Sequence, residues 1–376
     1  MKEQTISRRT VLEGLAASGV AASLADLGHA ASSDSIDVAV IAEPGAGHVS
    51  AFLQGLASCR GVGKVALAEP SGTTFAAARQ VVGDRFDSSY RDYEQMLQKF
   101  RPQLTLVSLE SRNTPPAIDA ALQEKSHVMT EKPSCVSVED FAPLVRKAKQ
   151  NDCHLTMALA TRASSAVKKA RQLIRDGMLG KPYSTTMDWI ADQTRLKNPK
   201  YHQSWLSFKD RAGGGKLIYH GIHYLDLIQY LIDDPIQQVS AFCENVGGQP
   251  IEVEDAAVLS FRFRNGMVGT LNAGYYLDRD YQNQVRIWGA TGWFYLDLPS
   301  GKPMEWYSTH PKAPSGVQTF DHSGDPSLYG VLLQEIVDAS RGLSPPPITG
   351  PEVLQVLKVI FAAYKAAETG TTQTIS

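Results

Sequence analysis

Two stretches of the chain carry the residue types that could move a hydride together with a proton. The first is Thr130-Glu131-Lys132-Pro133, which ends a short apolar run; the second is Gly213-Gly214-Gly215-Lys216-Leu217, followed by Tyr219, His220, His223 and Asp226. Oxidising an alcohol to a carbonyl releases a hydride and a proton, so one group must take the proton while another steadies the charge on oxygen. Lys132 suits the second task as an ammonium, and the first if burial depresses its pKa. His223 is the natural proton acceptor near neutrality. Tyr219 lies four residues before His223, on the same face of a helix. A phenol with an ordinary pKa near ~10 hydrogen-bonds or relays a proton but gives an imidazole no fixed negative charge. His220 would point about 100° away on an α-helix, so it is read either as a substrate contact or as packing.

Elements must bring these stretches together. Between residues 35 and 159 short apolar runs alternate with longer mixed segments, predicting strands at 36–41, 64–68, 104–109, 126–129 and 154–159. Helices are expected at 49–56, 73–82, 93–100, 115–125 and 138–150. A βαβ rhythm of this kind implies a parallel sheet covered on both faces. Beyond Arg162 the texture changes to longer alternating strands at 183–190, 239–246, 256–264, 267–276, 284–289 and 293–298, as in a one-sided antiparallel sheet. Asn265-Gly266 marks a hairpin between two of them. Helices at 327–341 and 351–369 are expected to return to the domain junction. The expected fold is therefore α/β, a doubly wound Rossmann-type parallel sheet over 35–160 followed by an α+β domain with an open, mainly antiparallel sheet over 161–376.

A doubly wound sheet presents a glycine turn at the end of its first strand, where a pyrophosphate meets a helix N-terminus. Here the turn is Ala42-Glu43-Pro44-Gly45-Ala46-Gly47-His48, which departs from GxGxxG. Gly45, Gly47 and His48 are its cofactor-binding candidates, with an unliganded glycine turn as the competing reading. Glu69 stands at the end of the second strand, where a carboxylate meets ribose hydroxyls and repels a 2′-phosphate. NAD is accordingly expected over NADP.

In order and spacing, Glu131-Lys132-Pro133, Arg162, Gly177-Met178-Leu179-Gly180-Lys181-Pro182 and the Gly213–Asp226 stretch resemble the Gfo/Idh/MocA oxidoreductases. The resemblance covers essentially everything after the first thirty residues. It implies hydride transfer between a nicotinamide cofactor and a sugar, cyclitol or related polyol, with Lys132 and His223 in the roles given above and Glu131 and Ser111 beside the cofactor. Tyr219 stands where the family pattern has Asp. Leu109-Glu110-Ser111-Arg112-Asn113 replaces the family's usual Thr-Pro-Asn beside the nicotinamide ribose. Arg162, Lys216, His220 and Asp226 are candidates for the substrate side. For Arg162 a salt bridge between domains is equally open, and for Lys216 a solvated loop position. Trp189 and Trp205 could stack on a pyranose or pack the core. Two other functions stay open: an NAD-dependent glycoside hydrolase that oxidises its substrate transiently, faintly suggested by Tyr219-His220-Gly221, and a non-catalytic sugar- or partner-binding protein.

Bulk properties bound the rest. The chain has 376 residues and a formal net charge of −2, so nothing general draws it to nucleic acid or anionic lipid. Cys59, Cys135, Cys153 and Cys243 have no metal-ligand spacing, and no metal site is expected. Ser7-Arg8-Arg9-Thr10-Val11-Leu12, followed by a weakly apolar stretch, resembles a twin-arginine (Tat) leader over residues 1–31. It implies export of a folded protein to the periplasm or beyond, with no membrane segment in the mature form. An exported enzyme needs a tightly held cofactor. An open sheet face implies a homodimer or homotetramer.

Overall fold

The computed structural model describes residues 35–298 and 302–376; the expected leader lies outside them. The first strand, β1 (Ile36–Ala42), is apolar and buried from Val38 onward because it is central. It pairs in parallel with β2 (Val62–Ala68) on one side and, on the other, with β4 (Leu104–Ser108). Between them run α1 (Val49–Ser58), α2 (Phe75–Val82), β3 (Phe86–Tyr90) and α3 (Tyr93–Phe100). The domain closes with α4 (Thr114–Gln123), β5 (His127–Thr130), α5 (Val138–Gln150) and β6 (Leu155–Met157). The strand order β3-β2-β1-β4-β5-β6 is that of a doubly wound dinucleotide domain. β3 was not expected from the sequence. Of its residues, Phe-Asp-Ser-Ser-Tyr, the middle three are polar because it is the sheet edge.

After α6 (Ser165–Arg175) and β7 (Pro182–Asp192) come two one-turn helices, α7 (Pro199–His202) and α8 (Lys209–Ala212). A π-helical turn at Leu217–Gly221 then runs into α9 (Ile222–Ile232). The second sheet is built from β7, β8 (Ile236–Glu244), β9 (Ala256–Phe263), β10 (Val268–Leu277), β11 (Tyr281–Gly289), β12 (Gly292–Asp297), β13 (Met304–Ser308) and β14 (Gln318–Phe320). After α10 (Leu328–Ser340) and α11 (Gly350–Thr369), β15 (Gln373–Thr374) adds the last strand. The order is β14-β13-β12-β11-β7-β10-β9-β8-β15, antiparallel except where β7 meets β10. Gly266, at a φ of 89°, makes the expected turn between β9 and β10.

The closing helices return to the first domain, α10 against α1 and α11 against α5 and α9. One sheet face packs on α9, α11 and the π turn. On its other strands and face Phe242 is 78% exposed, with Val258, Val268 and Trp288 also exposed. No helix among the described residues is long and apolar enough to cross a membrane.

Candidate active site

Lys132 and Tyr219, 87 residues apart, meet because the loop leaving β5 faces the π turn. The Lys132 ammonium sits 3.3 Å from the centroid of the Tyr219 ring and donates to the Tyr219 carbonyl oxygen at 3.0 Å. Lys132 is only 5% exposed. His223, 8% exposed, stacks on Trp189 with ring centroids 5.2 Å apart, and its Nδ1 has no hydrogen-bond partner. Burial, then the nearby Lys132 and His48 charges, push the His223 imidazole well below its ordinary pKa. It is therefore neutral at pH 7 and free to accept a proton.

The glycine run explains the turn that holds Tyr219. A Cβ on Gly215 would overlap the Glu254 carbonyl oxygen, and one on Gly214 the Tyr364 hydroxyl. With no side chains, the run lies close enough for the buried Glu254 carboxylate to accept from Gly215 N at 2.7 Å, Leu217 N at 2.8 Å and Tyr364 Oη at 2.8 Å. Glu254 thus fixes the start of the helix while the chain winds one residue wider than an α-helix. That widening corrects the expectation for His220. On an α-helix it would turn away, but here its ring contacts Tyr219 at 4.9 Å and Trp189 at 5.6 Å. Its Nδ1 lies 3.2 Å from the Tyr275 hydroxyl.

Lys216 is not a solvated loop lysine. It is fully buried, its Nζ lacks a hydrogen-bond partner, and it lies 4.5 Å from the Tyr275 ring centroid. Burial, then Arg195 and Lys132, depress its pKa to about 6. A cavity of about 540 Å³ opens beside His223, lined by Trp189, His223, Tyr224, Asp325 and Tyr329 among others. Asp325 is spent on the start of α6, accepting from Ser165 N at 2.8 Å.

The glycine turn tests whether a dinucleotide fits. No side chain caps the N-terminus of α1, so its first amides are open to an anion. A Cβ on Gly45 would meet nothing within 4 Å. Glu43 does not face that opening; its carboxylate accepts from Glu110 N at 2.6 Å. His48, in the left-handed region at a φ of 58°, stacks on Tyr329 at 4.6 Å and lies 3.0 Å from Glu131 Oε1. Glu131 Oε2 and Ser111 Oγ are buried without partners on the protein. A second cavity of about 330 Å³ at the ends of β1 and β2 is lined by Ala42, Ala68, Arg91 and Leu109 among others. Open amides, orphaned polar atoms and this cavity together fit a dinucleotide.

Two sequence expectations need correction. Glu69 ends β2 as expected, yet it is fully buried, and its carboxylate accepts from Ser71 N, Thr74 N and the hydroxyls of Thr73 and Thr74. In this conformation it ties its own loop and presents no oxygen to a ribose. Those hydrogen bonds outweigh burial and hold its pKa down at about 2. Arg162 and Asp226 do not reach the cleft. They form a buried pair, with Nε and Nη2 donating to the carboxylate at 2.8 and 2.6 Å, and Arg162 also reaches Glu352 at 2.8 Å. Burial and the guanidinium act oppositely on Asp226, and burial wins, raising its pKa.

Four contributors escaped the sequence reading: Arg195, Tyr275, Tyr329 and Glu254. Tyr329 is the second residue of α10, in a segment read only as helix, and Arg195 sits in a 3₁₀ turn without a motif. Only the fold places them near Lys132.

Comparison with known proteins agrees with this architecture. Residues 57–159 match the model of the oxidoreductase family with an NAD-binding Rossmann fold, and residues 167–295 match the GFO/IDH/MocA C-terminal domain. Together these span more than half the chain. A 1,5-anhydro-D-fructose reductase from Ensifer adhaerens is 23% identical over 252 residues, covering 67% of this chain and 73% of the relative. A 2,7-anhydro-N-acetylneuraminate hydratase from Escherichia coli is 30% identical over 189 residues, 49% of this chain and 48% of the relative. The solved structure of a levoglucosan dehydrogenase with NADH and levoglucosan superposes with a TM-score of 0.79 at 18% identity, covering 90% of this chain and 99% of that one, a likeness of fold. By its two domains and the motifs that meet in its cleft, the chain belongs to the Gfo/Idh/MocA family of NAD-binding oxidoreductases.

Proposed function

We propose that the chain transfers a hydride between NAD(H) and a CH–OH carbon of a sugar, cyclitol or related polyol. The observation that carries this reading is the pairing of a buried ammonium, Lys132, with a buried neutral imidazole, His223, beside a cavity large enough for a sugar ring. Bound NAD supplies the hydride acceptor, or NADH the donor; Gly45, Gly47, His48, Ser111, Glu131 and the first amides of α1 would hold it. Lys132 orients the reacting hydroxyl and stabilises the oxygen as charge develops. His223 takes its proton. Tyr219 lends its ring to position Lys132, and Trp189 offers an apolar wall for a pyranose.

The relatives include a reductase and anhydro-sugar hydratases, so a reaction in which oxidation is only temporary is the second reading. The two separate in one assay. A dehydrogenase accumulates reduced nicotinamide in step with oxidised substrate, whereas a transient oxidation releases product with no net change in the cofactor.

We further propose that residues 1–31 direct export through the Tat pathway, that the protein carries its nucleotide with it, and that the exposed sheet face joins it into a dimer or tetramer. Protein purified from its source cell should release NAD on denaturation, about one per chain by mass spectrometry if the cofactor is retained. Recovery in the cytoplasmic fraction would contradict export, and a monomer by light scattering would contradict the assembly.

A further inference from the structure

Besides Lys132 and His223, the same region holds a second set of basic groups that the proposed hydride transfer does not use. Arg195 follows β7, in a 3₁₀ turn over Thr194–Lys197 in which Leu196 is buried and Thr194 and Lys197 are exposed. Its guanidinium carbon lies 4.5 Å from the Tyr275 ring centroid and 5.7 Å from that of Tyr219, the ring beneath Lys132. Lys216 approaches the same Tyr275 ring at 4.5 Å. Lys216 Nζ and the Nε and Nη2 atoms of Arg195 are buried, and none has a hydrogen-bond partner.

Burying cations without partners is costly, and aromatic faces offset only part of that cost. The charges acting on Lys216 are those of Arg195 and Lys132; those acting on His220 are Lys216, Lys132, Arg195 and His223. No carboxylate appears among them; Asp192, a carboxylate that feels the Arg195 charge, is partly exposed and accepts from Thr194 N at 2.6 Å. Glu254, the nearest acidic group along the glycine run, is engaged by Gly215 N, Leu217 N and Tyr364 Oη. Elsewhere in this protein the Nε–Nη2 edge of an arginine grips a carboxylate: Arg162 holds Asp226 this way, and Arg211 holds Glu110. That edge suits the two oxygens of a carboxylate, a geometry that selects it over a single hydroxyl. On Arg195 it is buried and has no partner on the protein.

We infer that the substrate is a sugar acid whose carboxylate docks between the Nε–Nη2 edge of Arg195 and the ammonium of Lys216. The inference rests on the proposed function for the rest of the sugar, which places the reacting CH–OH at Lys132 and His223. It also explains Tyr219. An aspartate at that position would neutralise the cations that receive the anion, whereas a phenol leaves their field intact. The groups facing Lys216 are Arg195, Lys132, Tyr275 and His220, so an arriving anion is the event that restores its charge. Binding should therefore take up a proton above pH 7, because a lysine that is neutral in the free protein becomes charged in the complex.

The test is isothermal titration of the NAD-loaded protein, near pH 7.5, in two buffers of different ionisation enthalpy. The probes are matched pairs: D-glucuronate with D-glucose, D-galacturonate with D-galactose, and D-gluconate with D-glucitol. At least one acid should bind about tenfold or more tightly than its neutral partner, with net proton uptake. Arg195→Met and Lys216→Met should each remove that preference; Arg195→Met, in a partly exposed loop, keeps the test open if the buried lysine variant fails to fold. D-galactose 6-phosphate provides the other anion chemistry, and tighter binding of the phosphate than of every acid would overturn the carboxylate assignment. So would equal binding of all pairs, or an acid preference that survives Arg195→Met. An acid that binds with proton uptake yet reduces no nicotinamide would uphold this inference while removing the proposed oxidation. Neutral sugars oxidised and bound as well as acids would do the reverse.

Discussion

Lys132→Met is expected to lower kcat/KM by about a thousandfold, since it removes both the charge that stabilises the developing oxyanion and the group that orients the hydroxyl. His223→Asn should cost a similar factor. The double variant should lose little more than either alone, because the two groups act on one proton transfer as a unit. The pH profile gives the more specific readout. His223 must be neutral to accept a proton, so activity falls as pH drops through its pKa. Burial, followed by the Lys132 charge, depresses that pKa in the wild-type protein, which places the acid limb below the ordinary imidazole range. Without Lys132 one source of repulsion is gone, the imidazole pKa rises, and the acid limb moves to higher pH. Steady-state rates of the residual activity across pH 4 to 8 would show this. A limb that stays in place in Lys132→Met would mean that the two groups do not share a site.

The second large effect concerns stability. Asp226→Ala should destabilise the protein by about 3–5 kcal/mol, because it strands the Arg162 guanidinium in the interior. Arg162 is 4% exposed, and its remaining carboxylate partner, Glu352, is half-exposed and tied to Thr349 as well. Thermal unfolding should fall by about 10 °C. Replacing both partners with apolar residues, Arg162→Met with Asp226→Leu, should recover most of the loss, since the desolvation of both charges goes with them. The protein that remains folded should bind its substrate with an unchanged KM. A raised KM in Arg162→Met at full stability would instead place the arginine on the substrate.

How much of this was legible beforehand follows from what a linear pattern encodes. The alternation of β1, β2, β4 and β5 with helices reads directly from apolar runs, because a central parallel strand is buried on both faces and is predominantly apolar. The edge strand β3 escaped because an edge needs no such run. Lys132 and His223 stood out because each lies in a stretch whose spacing is specific. Local periodicity, however, assumed an α-helical turn at Tyr219-His220, whereas the π turn follows from the glycine run being drawn onto Glu254, 39 residues beyond Gly215, and Tyr364, 146 residues beyond Ile218. Likewise the sequence could not decide whether Arg162 held a substrate or a neighbour. Its partners Asp226 and Glu352 lie 64 and 190 residues on, and only the docking of α9 and α11 against the loop after β6 brings them to it. By itself, then, the amino-acid order determined the two sheets and singled out the two groups proposed to act on the reacting hydroxyl. Tertiary structure decided which of the remaining charges are spent on one another and which, like Arg195 and Lys216, are left open, because pairing depends on distance in space and burial, neither of which is local in the chain.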